Sequence, residues 1–216
     1  AESIMVFRDL KLAELTGARL HIPHVSTADS VKYINEMKNA YDKITAEVTP
    51  HHLFYNDEYL EDYNTNLKVA PPIRDSLSRE ALIKGIKNGT IDCIATDHAP
   101  HTAHDKETTF DLATCGLIGL ESCFGVVKKI LADEEGLSLI DIIKLLTISP
   151  RKIMGFDNNL LEIGKEAELV IFDDEERWTF QEKNIESKSK NSPFINQELS
   201  GRVKYTISSG QIATTL

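Results

Sequence analysis

Apolar residues along the 216-residue chain fall into two alternating periods. Ala1 to Leu15 spaces Ile4, Met5, Phe7, Leu10, Leu12 and Leu15 at roughly helical intervals and predicts an opening helix. Arg19 to His24 (RLHIPH) predicts a short strand, and Ser26 or Thr27 then caps a helix carrying Val31, Ile34 and Met37. Lys43 to Val48 (KITAEV) reads as a second strand, stopped by Thr49-Pro50, with a polar, aromatic-dotted loop from His51 to Pro72. Ser78 caps a helix with Leu82, Ile83 and Ile86, closed by Asn88-Gly89, and Ile91 to Asp97 (IDCIATD) is the third strand. After a long polar loop, Leu117, Leu120, Phe124, Val127 and Leu131 mark one helix. Leu139, Ile142, Ile143 and Leu146 mark another, with Ser138 as its cap and Pro150 just past its end.

Strands alternating with helices predict βαβ units and a parallel sheet. Three such units cannot close a barrel of eight, and each central strand would keep an unpaired edge. Residue 1 is an Ala inside the opening helix, with no initiator Met, so the pattern predicts that an upstream part is missing. From about Leu160 the texture changes. ELVIFD (Glu168 to Asp173), RWTF (Arg177 to Phe180) and VKYTIS (Val203 to Ser208) are strand-like runs separated by turn signals at Gly164-Lys165 and Ser209-Gly210. They predict a small β-layer, with Ser187 to Ser192 (SKSKNS) as a polar loop.

Composition narrows the partners. Hydrophobic residues make up 41% of the chain, enough for a buried core. The net charge of −10 and the lack of a Lys/Arg block argue against nucleic acid. No apolar run reaches membrane-spanning length, and no signal peptide opens the chain. Three cysteines, an odd number with no C-x-x-C pair, argue against a disulfide framework or a thiolate zinc site and fit a reducing cytoplasm.

All seven histidines lie between His21 and His104. His21 and His24 end the first predicted strand, His51 and His52 follow the second, and His98 and His101 follow the third beside Asp97. In a parallel α/β barrel the active site is built from C-terminal strand ends and the loops after them. Imidazoles and a carboxylate gathered there suit Zn²⁺ or a similar cation. One histidine at a strand end is more often a hydrogen-bonded structural residue than a ligand; three pairs at consecutive strand ends shift the balance toward a site.

HIPHVST (His21 to Thr27), AEVTPHHL (Ala46 to Leu53), KVAPPIR (Lys68 to Arg74), IDCIATDHAPHT (Ile91 to Thr102) and GLIGLES (Gly116 to Ser122) resemble, in order and spacing, consecutive motifs of the dihydroorotase family within the amidohydrolase superfamily. SKSKNSPF (Ser187 to Phe194) and GKEAELVIFD (Gly164 to Asp173) resemble its C-terminal segment. The resemblance implies an α/β fold: the C-terminal part of a (β/α)8 barrel, about strands six to eight, over residues 1–156, and part of a small composite β-sandwich over 157–216. It implies reversible, Zn²⁺-dependent cyclisation of N-carbamoyl-L-aspartate to L-dihydroorotate, with one or two ions.

Residue by residue, His24 matches the family's metal-ligand histidine, and Asp97 its metal-ligand aspartate and catalytic acid/base. His101 matches a substrate contact, and the Cys115-Gly116 turn sits where backbone groups meet the substrate ring. Glu47, His51 and His98 are expected to support the ligands from behind, with His98 orienting Asp97. His21 is expected to point away from the metal, Cys93 to sit in the apolar core, and His104 to lie on a loop over the site. Ala70 occupies a position where family members often place Asn or Arg against the substrate carboxylate; losing that contact costs about 1.5–3 kcal/mol unless another group, such as Arg74, replaces it. The remaining ligands would lie upstream of Ala1, so the segment alone is expected to be inactive, with the N-terminal half of the barrel as its partner. A homodimer or aspartate transcarbamoylase is a further expected partner. The alternatives are a non-catalytic dihydroorotase-like subunit and another cyclic amidase such as an allantoinase or hydantoinase.

Overall fold

A computed structural model describes residues 1–158 and 161–214. Leu160, where the sequence changes texture, lies outside the described residues. The first sheet has three parallel strands in the order β1 (Leu20–Ile22), β2 (Ile44–Val48), β3 (Cys93–Ile94). Helices α1 (Glu2–Thr16), α2 (Ala28–Lys38) and α4 (Ser76–Lys87) flank it, and a short α3 (Pro50–Phe54) follows β2 directly. The predicted strand, helix, strand order is therefore observed.

The strands are shorter than predicted, for backbone reasons. β1 stops before Pro23, which has no N–H to donate, and His24 turns to φ 36°. Around β3 the ladder continues through Asp92 N–H to the Ala46 carbonyl and Ala95 N–H to that of Val48, then ends before Asp97 at φ 48°.

Strand alternation decides what each face carries. Ile22, Ile44, Ala46, Val48 and Ile94 point into one apolar cluster with Leu10, Ile34, Leu82, Ile83 and Leu131. The alternating residues His21, Thr45, Glu47 and Cys93 take the other face. Cys93 is buried, as expected, on the sheet face opposite the first apolar cluster.

Other departures have local causes. The opening helix buries Val6, Leu10 and Ala13 against α2, leaving Ile4, Met5, Phe7, Leu12 and Leu15 exposed. Asp75 rather than Ser78 caps α4, accepting from the Ser78 N–H at 2.9 Å. Thr49 caps α3 with Pro50 in its first turn, so the loop predicted after β2 begins as a helix. α5 (Ala103–Lys106) carries His104, a short helix where a loop was expected. The helix expected from Leu117 starts only at α6 (Cys123–Val127) and continues as a π-helical stretch, Lys128–Glu134. α7 (Leu139–Leu146) has its predicted Ser138 cap. Pro150 lies inside α8 (Ile148–Met154), within the first turn, where its missing N–H costs nothing.

The second sheet is antiparallel: β4 (Leu169–Thr179), β5 (Glu198–Ser208), β6 (Gln211–Thr214). ELVIFD and RWTF merge into one strand, broken only by register shifts after Ile171 and Asp173. Leu199 and Phe180 join Leu117, Ile118, Val126 and Phe194 in a second apolar cluster. Among the described residues no helix is long and apolar enough to cross a membrane.

Candidate active site

His24 and Asp97 leave the C-terminal ends of β1 and β3 in left-handed backbone conformations, φ 36° and 48°. Such conformations are costly for residues other than glycine and cluster at functional sites. The half-buried His24 has a buried Nδ1 with no hydrogen-bond partner. Partial burial raises the Asp97 carboxyl above its usual range, opposed by His24 and aided by Glu47, so the three groups share one electrostatic neighbourhood.

The paired histidines after β2 divide. His52 Nε2 lies 3.0 Å from the Pro71 carbonyl, which can only accept, so that nitrogen carries the proton and Nδ1 accepts from the Thr49 hydroxyl at 2.7 Å. Burial holds the His52 ring at about 4, against the Pro71 contact, which favours the charged form. His51 is buried, and burial followed by the neighbouring His52 and His24 pushes it well below the ordinary value. Its Nε2 also lacks a partner. An unpaired ring nitrogen on both His24 and His51 is what a cation's surroundings would leave, and imidazole with carboxylate suits Zn²⁺.

His21 is tied to Thr45 through Nδ1 at 2.9 Å and to Glu47 through Nε2 at 3.0 Å. His21, Glu47 and Cys93 hold donor atoms within 4.8 Å of one another, the one group of three His, Cys, Asp or Glu side chains so spaced among the described residues. His24 and Asp97 therefore supply two donors and no third of their own. His98 does not orient Asp97 through its hydrogen bonds. Its Nδ1 accepts from the Gly119 and Leu120 N–H groups at 3.2 and 3.4 Å, and its Nε2 lies 3.4 Å from the Ser187 hydroxyl.

His101 and Gly116 are brought together. Gly116 has φ 132°, and a Cβ there would lie 2.7 Å from the Ala99 Cβ and 2.8 Å from His101 Nε2. Its N–H donates to the Lys68 carbonyl, and its own carbonyl accepts from the buried Lys106 ammonium and the Asn191 amide. The Gly116 backbone is thus spent on the turn, and the Cys115 peptide is the part left for a ligand. A cleft of about 590 Å³, lined by His101, Lys106 and Asn191 among others, borders it.

Asn191 was missed in the sequence. It is buried, accepts from the His101 N–H at 3.3 Å, and donates to the Ala99 carbonyl at 3.0 Å and the Gly116 carbonyl at 3.3 Å. It joins the SKSKNS segment to the loop carrying His101, and an Asn in a polar loop gives no sign of that role. Ala70 is exposed and offers no side-chain donor. The Arg74 guanidinium bonds the Ser26 hydroxyl at 3.0 Å through Nε and lies 3.5 Å from the Glu2 carboxylate through Nη2.

The parallel strands carry histidine and carboxylate at their C-terminal ends, and the chain belongs to the amidohydrolase family, whose profile matches residues 24–213. The family is generally metal-dependent. Within it, the chain is 44% identical over 212 residues to proteins named dihydroorotase from Caldanaerobacter subterraneus subsp. tengcongensis and Thermoanaerobacter sp., covering 98% of this chain and 49% of each relative. The chain therefore spans about half the length of the curated relatives it matches. Among solved structures it resembles an L-hydantoinase (dihydropyrimidinase) from Arthrobacter aurescens, with TM-score 0.90 and 27% identity over 99% of this chain and 48% of that one. A dihydropyrimidinase from Brevibacillus agri gives TM-score 0.91 at 22% identity, with the same coverage, a likeness of fold alone.

Proposed function

We propose that this chain is the C-terminal portion, about strands six to eight, of the (β/α)8 barrel of a dihydroorotase, with residues 157–216 contributing to a β-sandwich. The observation that carries the reading is the placement of His24 and Asp97 at C-terminal strand ends, both in left-handed backbone and electrostatically coupled, in a chain 44% identical to proteins of that name.

His24 and Asp97 would hold one divalent cation, with Zn²⁺ the best match to their donors, and its remaining ligands would come from the other half of the barrel. When bound, such an ion lowers the pKa of a water and polarises the ring carbonyl. Asp97 accepts the proton of the attacking water and returns it to the leaving ring nitrogen, one carboxylate acting as base and then acid. In the biosynthetic direction Asp97 takes the proton from the carbamoyl nitrogen as the C–N bond closes the ring and gives it to the departing carboxyl oxygen, which with a second proton from solvent leaves as water. His101 and the Cys115 peptide face the anionic substrate, held in place by Asn191 and Lys106.

Asp97→Asn tests the acid/base role cleanly, because Asn tolerates the left-handed backbone of this position. In the intact protein, dihydroorotate hydrolysis should fall about 100-fold or more, with fold retained and with hydantoin and allantoin remaining poor substrates. Full activity in the variant would remove Asp97 from the chemistry. A second reading, a non-catalytic subunit that assembles with aspartate transcarbamoylase, is favoured by Ala70 alone. An inactive intact protein that co-purifies with that enzyme would support it instead.

A further inference from the structure

We propose that His21, Glu47 and Cys93 form a second cation site, with ligands other than His24 and Asp97 and suited to Zn²⁺ or Co²⁺. The three residues come from three adjacent strands. Glu47 and Cys93 are register partners, and His21 is the neighbour of Thr45, two residues before Glu47. Alternation sends all three away from the apolar cluster to the same face. Their donor atoms lie within 4.8 Å of one another, and His21 Nε2 is 3.0 Å from a Glu47 oxygen.

Two further observations separate this from a chance grouping. His21 Nδ1 rests on the Thr45 hydroxyl at 2.9 Å. Metal-binding histidines characteristically anchor their second ring nitrogen in this way, which fixes the ring and frees the other lone pair. Without metal, the Glu47 carboxylate can only accept, so His21 Nε2–H donates to it and Nδ1 accepts from the Thr45 hydroxyl; a cation taking the place of the Nε2 proton would move the ring N–H to Nδ1, with Thr45 as its acceptor. The nearby Asp92 is committed elsewhere, to the Lys38 ammonium at 2.6 Å and the Ala46 N–H at 2.7 Å, so it does not compete as a ligand.

Imidazole nitrogen, thiolate sulfur and a carboxylate oxygen select a borderline-soft ion over Mg²⁺ or Ca²⁺. Three protein ligands leave one position of a tetrahedron for water or another side chain. Loading exchanges the Cys93 thiol proton for the metal: one S–H bond is lost, one metal–sulfur bond forms, and the proton goes to solvent. Without metal, burial followed by the charges of Glu47 and Asp92 pushes the thiol up to about 12, so the apo site holds its proton at neutral pH and is unreactive. The inference stands whatever reaction the protein catalyses.

The test is Co²⁺ titration of the metal-free intact protein, followed by absorption spectroscopy and metal analysis. Bound Co²⁺ should give a thiolate-to-metal charge-transfer band in the near ultraviolet. Cys93→Ser should abolish the band and lower the bound metal by one equivalent, while Cys115→Ser and Cys123→Ser keep both. His21→Gln, which retains a side chain able to reach Thr45, should also lose that equivalent while its circular dichroism stays native. Thr45→Val should weaken binding about 10–100-fold. The proposal is overturned if the wild-type protein binds Co²⁺ without a charge-transfer band, or if the band survives in Cys93→Ser.

Discussion

Gly116 shows how tightly the region around His101 is built. A methyl group there would enter the space of the Ala99 side chain and of His101 Nε2, under 3 Å from each, on a backbone at φ 132°. Gly116→Ala should therefore raise the substrate KM at least tenfold while leaving metal content intact; an unchanged KM would show that the turn does not face the substrate. Asn191 acts on the same turn from the far side. Asn191→Ala removes three hydrogen bonds and should cost about 1–3 kcal/mol of stability together with a KM effect, read by urea unfolding and steady-state kinetics; native stability and kinetics would contradict its place as a hub. His52 carries a pH dependence. Its unfolded value is the ordinary 6.5 and its folded value about 4. Above 6.5 neither state binds the proton, and stability is complete. As the pH falls from 6.5 toward 4 the unfolded chain binds it first, and stability declines by up to about 3 kcal/mol, with the buried His51 acting in the same direction. Unfolding free energies measured at several pH values, with ring chemical shifts for His52, would check this. A His52 ring titrating near 6.5 would contradict it.

At the scale of elements, caps and alternation account for what the sequence made legible. The order of strands and helices around the first sheet follows from apolar periodicity, and the caps at Thr27 and Ser138 were readable because a hydroxyl precedes each helical pattern. The cap at α4 was misassigned because Asp75 and Ser78 are both good caps and only the backbone decides between them. Asp75→Ala should cost about 1 kcal/mol and Ser78→Ala less through the cap, a difference thermal unfolding would resolve. Strand ends were overestimated because periodicity does not register the left-handed turns at His24 and Asp97. The face buried by α1 was misjudged as well: a helix with apolar residues nearly all round does not reveal which stripe meets α2. Cys93 is buried, as its apolar neighbours suggested, and its register with Glu47 decides which face of the sheet it takes.

At the scale of the molecule, motif order identified the family, and the fold agrees with hydantoinase-type structures across 99% of the chain. Long-range joints were not legible. Asn191 reaches the His101 loop from 90 residues away, and Arg74 is drawn off to Glu2 and Ser26, neither of which local sequence records. The account turns on where the metal sits. Anomalous diffraction at the zinc edge from crystals of the intact, zinc-loaded protein measures this directly. A peak about 2.0–2.2 Å from both a His24 ring nitrogen and an Asp97 carboxylate oxygen is the predicted result; zinc density elsewhere, with none between those two side chains, would contradict it.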